Sequence, residues 1–149
     1  MSKISDNAEA IKARLNTAPV EGELPTPIDL TKVDVVVDRQ KDHRVKVAKS
    51  VASGTGTAIL ILWDGWVNLD PNSRRPRLGH SYTIRVQSKP VIAGDEMAAD
   101  DVAESIAMRL WQWSRNGHAN NECTVGPADI TPDEKYLIYD MQVTIPTSH

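Results

Sequence analysis

Apolar positions in this chain switch repeatedly between a period near 3.6 and a period of two, and the switches outline its elements. Residues 4–18, ISDNAEAIKARLNTA, set Ile4, Ala8, Ile11 and Leu15 on one helical face, and Asp6 with Glu9 has the spacing of a capping box. Pro19, Pro25 and Pro27 then forbid a continuing helix, so 18–31 reads as an extended connecting arm. KVDVVVD (32–38) is β-branched and predicts a strand. Residues 39–54 obey both periods in part. Val45, Val47 and Val51 roughly alternate, whereas Val45, Ala48, Val51 and Ala52 fit a helix that Gly54 would end. The helical reading, over 40–53, is the preferred one.

TAILILWDGWVNL (57–69) is the most apolar strand. Asp64-Gly65 inside it fits either a hairpin turn or a bulge, because the apolar pattern resumes at Trp66. HSYTIRVQS (80–88) alternates cleanly, with Tyr82, Ile84 and Val86 inward and Thr83, Arg85 and Gln87 outward. These two runs predict an antiparallel pair joined by a long hairpin. Residues 94–117, GDEMAADDVAESIAMRLWQWSRNG, carry the strongest helical stripe: Ala99, Ala103, Ile106, Leu110 and Trp113. Acids lie toward its N-terminal half, Arg115 in its last turn, and Gly117 follows as a stop. HANNECTVGPADITPDE (118–134) reads as loop with room for a short strand. KYLIYDMQVTIP (135–146) closes the chain, with Leu137, Tyr139, Met141, Val143 and Ile145 on one face, before a frayed tail at 147–149.

In order this is a helix, then strand–helix–strand–strand–helix–strand. That pattern is α+β and ferredoxin-like: a split βαβ antiparallel sheet with helices on one face and an extra N-terminal helix. One domain of 149 residues divides into an N-terminal helix (1–17), a Pro-rich arm (18–31), the sheet and helices (32–146) and the tail.

Composition narrows the functions. An apolar content of 40% is that of a globular chain. A net charge of −3 and a pI near 5.8 argue against a general nucleic-acid binder, which shows a basic face. With one cysteine, Cys123, no internal disulfide forms, and a reducing compartment is expected. No apolar run is long enough to span a membrane, and the first ten residues lack the apolar stretch of a secretory leader. A soluble, cytoplasmic protein is expected.

No catalytic signature stands out. SGTGT (53–57) precedes a strand, the reverse of the strand-to-helix order that cradles phosphate. His43, His80, His118 and His149 are scattered without the spacing of a helical metal site, and His118 with Cys123 supplies only two ligands. No nucleophile elbow occurs. The acids Asp95, Glu96, Asp100 and Asp101 fit compensation of a helix dipole better than a cation site. No cofactor is implied. Trp111 and Trp113 point to different sides of their helix, leaving Trp111 near the boundary, and simple alternation divides Trp63 and Trp66 between the sheet's faces. Four tryptophans either replace the absent phenylalanine in the core or furnish a protein–protein surface.

Arg74, Arg75 and Arg77 are the most basic cluster, on a connection of about twelve residues where hairpins usually use two to five. Pro71 and Pro76 stiffen it into a projecting arm. Arginines there suit carboxylates on a neighbouring acidic surface, and Asp95–Asp101 supplies one, so a subunit-to-subunit match is expected. DNA near the loop tip is the secondary reading, because three charges without a wider patch bind weakly at physiological salt.

The helix AEAIKARLN, the strand ending YTIRVQSK, the acid-started helix ADDVAESIAMRLWQW and the strand KYLIYDMQVTIP together resemble the tail terminator, or tail completion, proteins of long-tailed bacteriophages and prophages. The resemblance lies in the order of elements across most of the chain. It implies a non-enzymatic virion protein, assembled in the host cytoplasm. Such a protein forms a homo-oligomeric ring, commonly a hexamer, on the head-proximal end of the tail tube. The ring ends tube polymerisation, meets the tail tube protein on one face and a neck or head-completion protein on the other, and lets DNA pass through its lumen without specific binding. Rival readings are another head–tail connector, a small ferredoxin-like enzyme or ligand-binding domain with a pocket between helix 97–115 and the sheet, and an RNA-binding module, which the charge disfavours.

Overall fold

The structure, a computed structural model, describes residues 3–37, 56–72, 74–75, 77–89, 93, 98–114, 122–132 and 136–146. Helix α1 spans Lys3–Leu15, a 3-10 turn Leu30–Lys32 and strand β1 Asp34–Val37. Strands β2 (Thr57–Asn68) and β3 (Leu78–Ser88) form the hairpin, helix α2 is Ala99–Leu110, and β4 (Thr124–Pro132) with β5 (Leu137–Pro146) completes the chain. The expected helix at 40–53 lies outside the described residues.

Strict alternation gives the sheet its core face. Ile59, Ile61, Tyr82, Ile84, Val86, Met141, Val143 and Ile145 are all buried there, as expected for β3 and β5. The helices bring Ala8, Ile11 and Leu15 of α1 and Val102, Ala103, Ile106 and Leu110 of α2 onto the same cluster. Both described helices therefore cover one face, the layering that two half-apolar element types require. On the opposite face Ala58 and Leu60 are buried beside the half-buried Val36, Leu62 and Tyr136.

The sheet order is β1-β2-β3-β5-β4, with β1 parallel to β2 and every other pair antiparallel. The α+β class holds, and two helices on one sheet face remain compatible with a ferredoxin-like layering. The strand order is not that of a split βαβ, which places a third strand between two parallel ones; here β1 and β2 are direct hydrogen-bonded neighbours, so the sheet is mixed.

Three further expectations are corrected. Asp6 lies inside α1, in its first turn, and so is not the N-cap of a capping box. Helix α2 stops at Leu110, because Gln112 adopts the left-handed φ of 55° that ends helices. Trp113, half-buried, packs against the core from beyond the helix. The stretch expected to be loop with room for a short strand holds a nine-residue edge strand, β4, interrupted by a register shift between Val125 and Ala128. Pro127, which lacks an N–H, sits in that shift, the position an edge strand tolerates.

The arm after α1 is pinned rather than loose. Glu23 accepts from Arg14 Nη2 at 2.6 Å, from Arg109 Nη1 at 3.1 Å and from Val20 N at 3.0 Å. The Ile28 N–H donates to Ser105 Oγ on α2 at 3.0 Å. The Val20 amide and then the Arg14 guanidinium hold the Glu23 carboxyl down, from its ordinary value of 4.5 to about 2. A depressed carboxylate contributes stability that is whole above its unfolded value and lost as the pH falls through the folded one. Urea denaturation at stepped pH is therefore expected to show stability falling between about pH 4.5 and 2, with the Glu23→Gln variant showing a shallower fall. An identical pH slope in the variant would remove Glu23 as the cause.

Candidate functional site: the β2–β3 hairpin end

The described pairing of β1 reaches Val37 opposite Ile61, and among the described residues only β3 pairs with the far half of β2. That half and the residue after it carry four of the eight exposed large apolar side chains among the described residues: Trp63 (45% exposed), Trp66 (65%), Val67 and Leu69.

A bulge decides how they point. The register steps from Trp63 opposite Tyr82 to Gly65 opposite Ser81, leaving Asp64 as the extra residue. Gly65 takes a φ of +123°, which a Cβ would strain. The Asp64 carboxylate turns to the sheet's other face, where it accepts from Thr83 Oγ1 and, at 3.1 Å, from Gln142 Nε2. One inserted residue reverses the alternation, so Trp66 pairs with His80 and lies on the same face as Trp63. That face is the helix-bearing one, since Tyr82 is buried in its core and His80 lies 3.4 Å from Asn7 of α1. The division of Trp63 and Trp66 between the two faces is therefore corrected: they form one ridge.

The loop beyond is tightly tied at its base. The Leu69 N–H donates to the Arg77 carbonyl at 2.7 Å, and Asn68 Oδ1 accepts from Asp70 N at 3.0 Å. Leu69 rests over Gly79, where a Cβ would meet Thr144 Cγ2 at 2.8 Å and Leu69 Cδ1 at 3.2 Å. Arg74, Arg75 and Arg77 are all exposed on this loop. The structure thus gathers the arginine trio with two tryptophans that sequence reasoning had not joined to it.

The acids sit elsewhere. Asp100 is exposed and Asp101 half-buried in the first turn of α2, while Asp95 and Glu96 lie outside the described residues. Strand β3 runs away from the arginine loop for 11 residues, roughly 36 Å at strand rise, and the chain reaches α2 from its far end. The C-terminal end of α2 comes back: Cys123 N donates to the Trp113 carbonyl, and β4 then begins opposite Thr144, itself opposite Ser81. Trp111, 62% exposed just after α2, therefore sits at the hairpin end of the sheet, and the acidic helix start at the other. Among the described residues, the arginine loop and the Asp100–Asp101 turn thus lie at opposite ends of the sheet.

Other polar groups are structural. Arg85 holds Asp140, its register partner, through two bonds of 2.8 and 3.1 Å, and the Asp140 hydrogen bond raises the guanidinium pKa. Cys123 is buried, and burial pushes its thiol up to about 12, far from a nucleophile's range. Among the described residues no group of three or more His, Cys, Asp and Glu is placed to hold a metal ion, and no helix is long and apolar enough to cross a membrane. The space between α2 and the sheet is filled by Val102, Ile106 and Leu110 against Ile84 and Val143, all at 0% exposure. No protein-family model and no curated protein sequence matches this chain.

Proposed function

We propose that this protein acts by assembly, without turnover, as the subunit of a ring at the head-proximal end of a phage tail tube, ending tube growth and joining tail to head. The observation that carries the assembly reading is the hairpin end, where Trp63, Trp66, Val67 and Leu69 stand exposed beside three arginines. Trp63 and Trp66 share one face of the hairpin, with Val67 and Leu69 on the other; exposed apolar surface marks interaction sites, and tryptophan and arginine are the residues interfaces favour. Basic and acidic surfaces at opposite ends of one molecule suit contacts between unlike patches, the kind that close into rings.

The tail-terminator identity of that ring rests on the order of elements and on two helices layered over one sheet face. Its partners would be further copies of itself, the tail tube protein and a neck or head-completion protein. A chain of net charge −3 suits a lumen that lets DNA pass without gripping it.

Light scattering after size exclusion, with the protein alone and mixed with a tail tube protein, tests this. The expected result is a closed multiple of the 16.4 kDa subunit, alone or on the tube. A monomer under both conditions would sink the proposal and turn attention to small ligands, sought by thermal stabilisation.

A further inference from the structure

We infer that copies of this chain join head to tail, with the Trp63–Trp66 ridge and arginine loop of one copy seated on the Ile130 and Asp100–Asp101 end of the next. The inference rests on the assembly reading above and names its contact.

The ridge is built rather than incidental. Without the Asp64 bulge, Trp66 would face away from Trp63; with it, two large aromatic rings stand side by side on the helix-bearing face. Bulges re-aim side chains in this way, and this one is held across three strands by the Asp64 carboxylate. The two sheet edges differ as well. Among the described residues, Pro127 and a register shift blunt β4, whereas the far half of β2, paired there by β3 alone, holds Trp63, Trp66 and Val67 with no proline.

The receiving end is apolar and acidic. Ile130 is 59% exposed and lies opposite Tyr139, which lies opposite Val86, so it shares the helix-bearing face at the end where β3 finishes. Helix α2 starts from that same end with Asp100 and Asp101. The end that bears the apolar ridge and the arginine loop is thus matched, at the other end of the molecule, by one that bears an exposed apolar residue and the carboxylates. Symmetric pairing of two hairpin ends would instead set one arginine trio against another, a like-charge contact that costs stability. The complementary partner is therefore a second copy, turned so that unlike ends meet, which repeats around a ring.

Cross-linking reads this directly. Asn68, exposed on the hairpin beside Trp66, and Glu104, exposed one helical turn beyond Asp100, are changed to cysteine without touching the ridge or the acids. Cys123 stays silent toward a short bismaleimide because it is buried. The doubly substituted chain, Asn68→Cys with Glu104→Cys, is expected to give a ladder of covalent multimers ending at the native mass. Each single variant alone should give none, and a mixture of the two should stop at dimer. Dimers from Asn68→Cys alone would mean symmetric pairing, and native multimers without cross-links would mean another surface. Either result overturns the head-to-tail contact while leaving assembly standing. A protein that light scattering finds monomeric, with or without the tube protein, removes both.

Discussion

Arg109→Met is expected to cost about 3 kcal/mol of folding stability, a large share of what a domain of this size commands. Arg109 is 3% exposed, and its guanidinium joins three separate segments. Nη1 donates to Glu23 at 3.1 Å, and Nη2 donates to the Arg14 and Thr17 carbonyls at 3.3 and 2.8 Å. Those carbonyls belong to the end of α1, where the local turn gives the Arg14 carbonyl only a long contact of 3.4 Å from Thr17 N. In return Arg14 Nε donates to the Arg109 carbonyl at 3.0 Å, so the C-terminal ends of both helices are tied together. Burial pushes the Arg109 pKa down, and the adjacent Arg14 adds to that, but Glu23 offsets part of it. Methionine would fill the volume and remove the buried, unpartnered Arg109 Nε. It would also take a charged donor from the part-buried Arg14 and Thr17 carbonyls and one of two cations from Glu23, charge-assisted bonds worth about 1.5–3 kcal/mol each, so the loss wins. Arg109→Lys should recover less than half, since an ammonium cannot span the same fork. Urea denaturation at pH 7 with far-UV circular dichroism checks this. A loss under about 1 kcal/mol would mean the three segments are held by packing alone.

Little of this network was legible in the chain. Arg109 reads as a basic residue in a helix's last turn, a place that helix-dipole reasoning already explains. Its burial depends on α1 and the arm arriving from more than 80 residues away, as the Arg109–Glu23 bond shows. What local pattern does carry is alternation. Tyr82, Ile84 and Val86, or Met141, Val143 and Ile145, face the core because a strand half-covered by helices leaves them no other side. The α2 stripe was legible for the same reason.

Strand order was not legible, because a period of two says which face is buried and nothing about which neighbour is bonded. Hence β1 could be placed as a strand but not beside β2. Strand β4 was hidden by Gly126 and Pro127, which look like loop and in fact occupy the shifted part of an edge. Asp64-Gly65 left a turn and a bulge equally open. The choice is made by what lies across from it, Tyr82 and Ser81 in register and Thr83 with Gln142 to hold the carboxylate. The arginine loop was found from composition alone, yet its meaning changed once that bulge put both tryptophans beside it on one face.

Replacing both tryptophans, Trp63→Ser with Trp66→Ser, is expected to weaken self-association by about 30- to 1000-fold, or about 2–4 kcal/mol, the range of central aromatic anchors. The fold should survive, because these rings are 45% and 65% exposed in the single chain and contribute little to its core. Arg74→Glu with Arg75→Glu and Arg77→Glu should also disrupt association, for a different reason. Exposed charges steer encounter and are screened within ~3 Å at 1 M salt, so that variant should converge on the unmodified protein as salt rises. The tryptophan variant should not, since apolar burial does not fade with salt and sulfate strengthens it. Sedimentation across a concentration series at low and high salt separates the two. If the arginine variant stayed weak at 1 M salt while the tryptophan variant assembled normally, the loop would be the anchor and the ridge its surroundings. If neither substitution moved the association constant, the hairpin end would not be the interface. The expected order, aromatic burial setting the strength and arginine setting the approach, follows from which contact water and salt can reach.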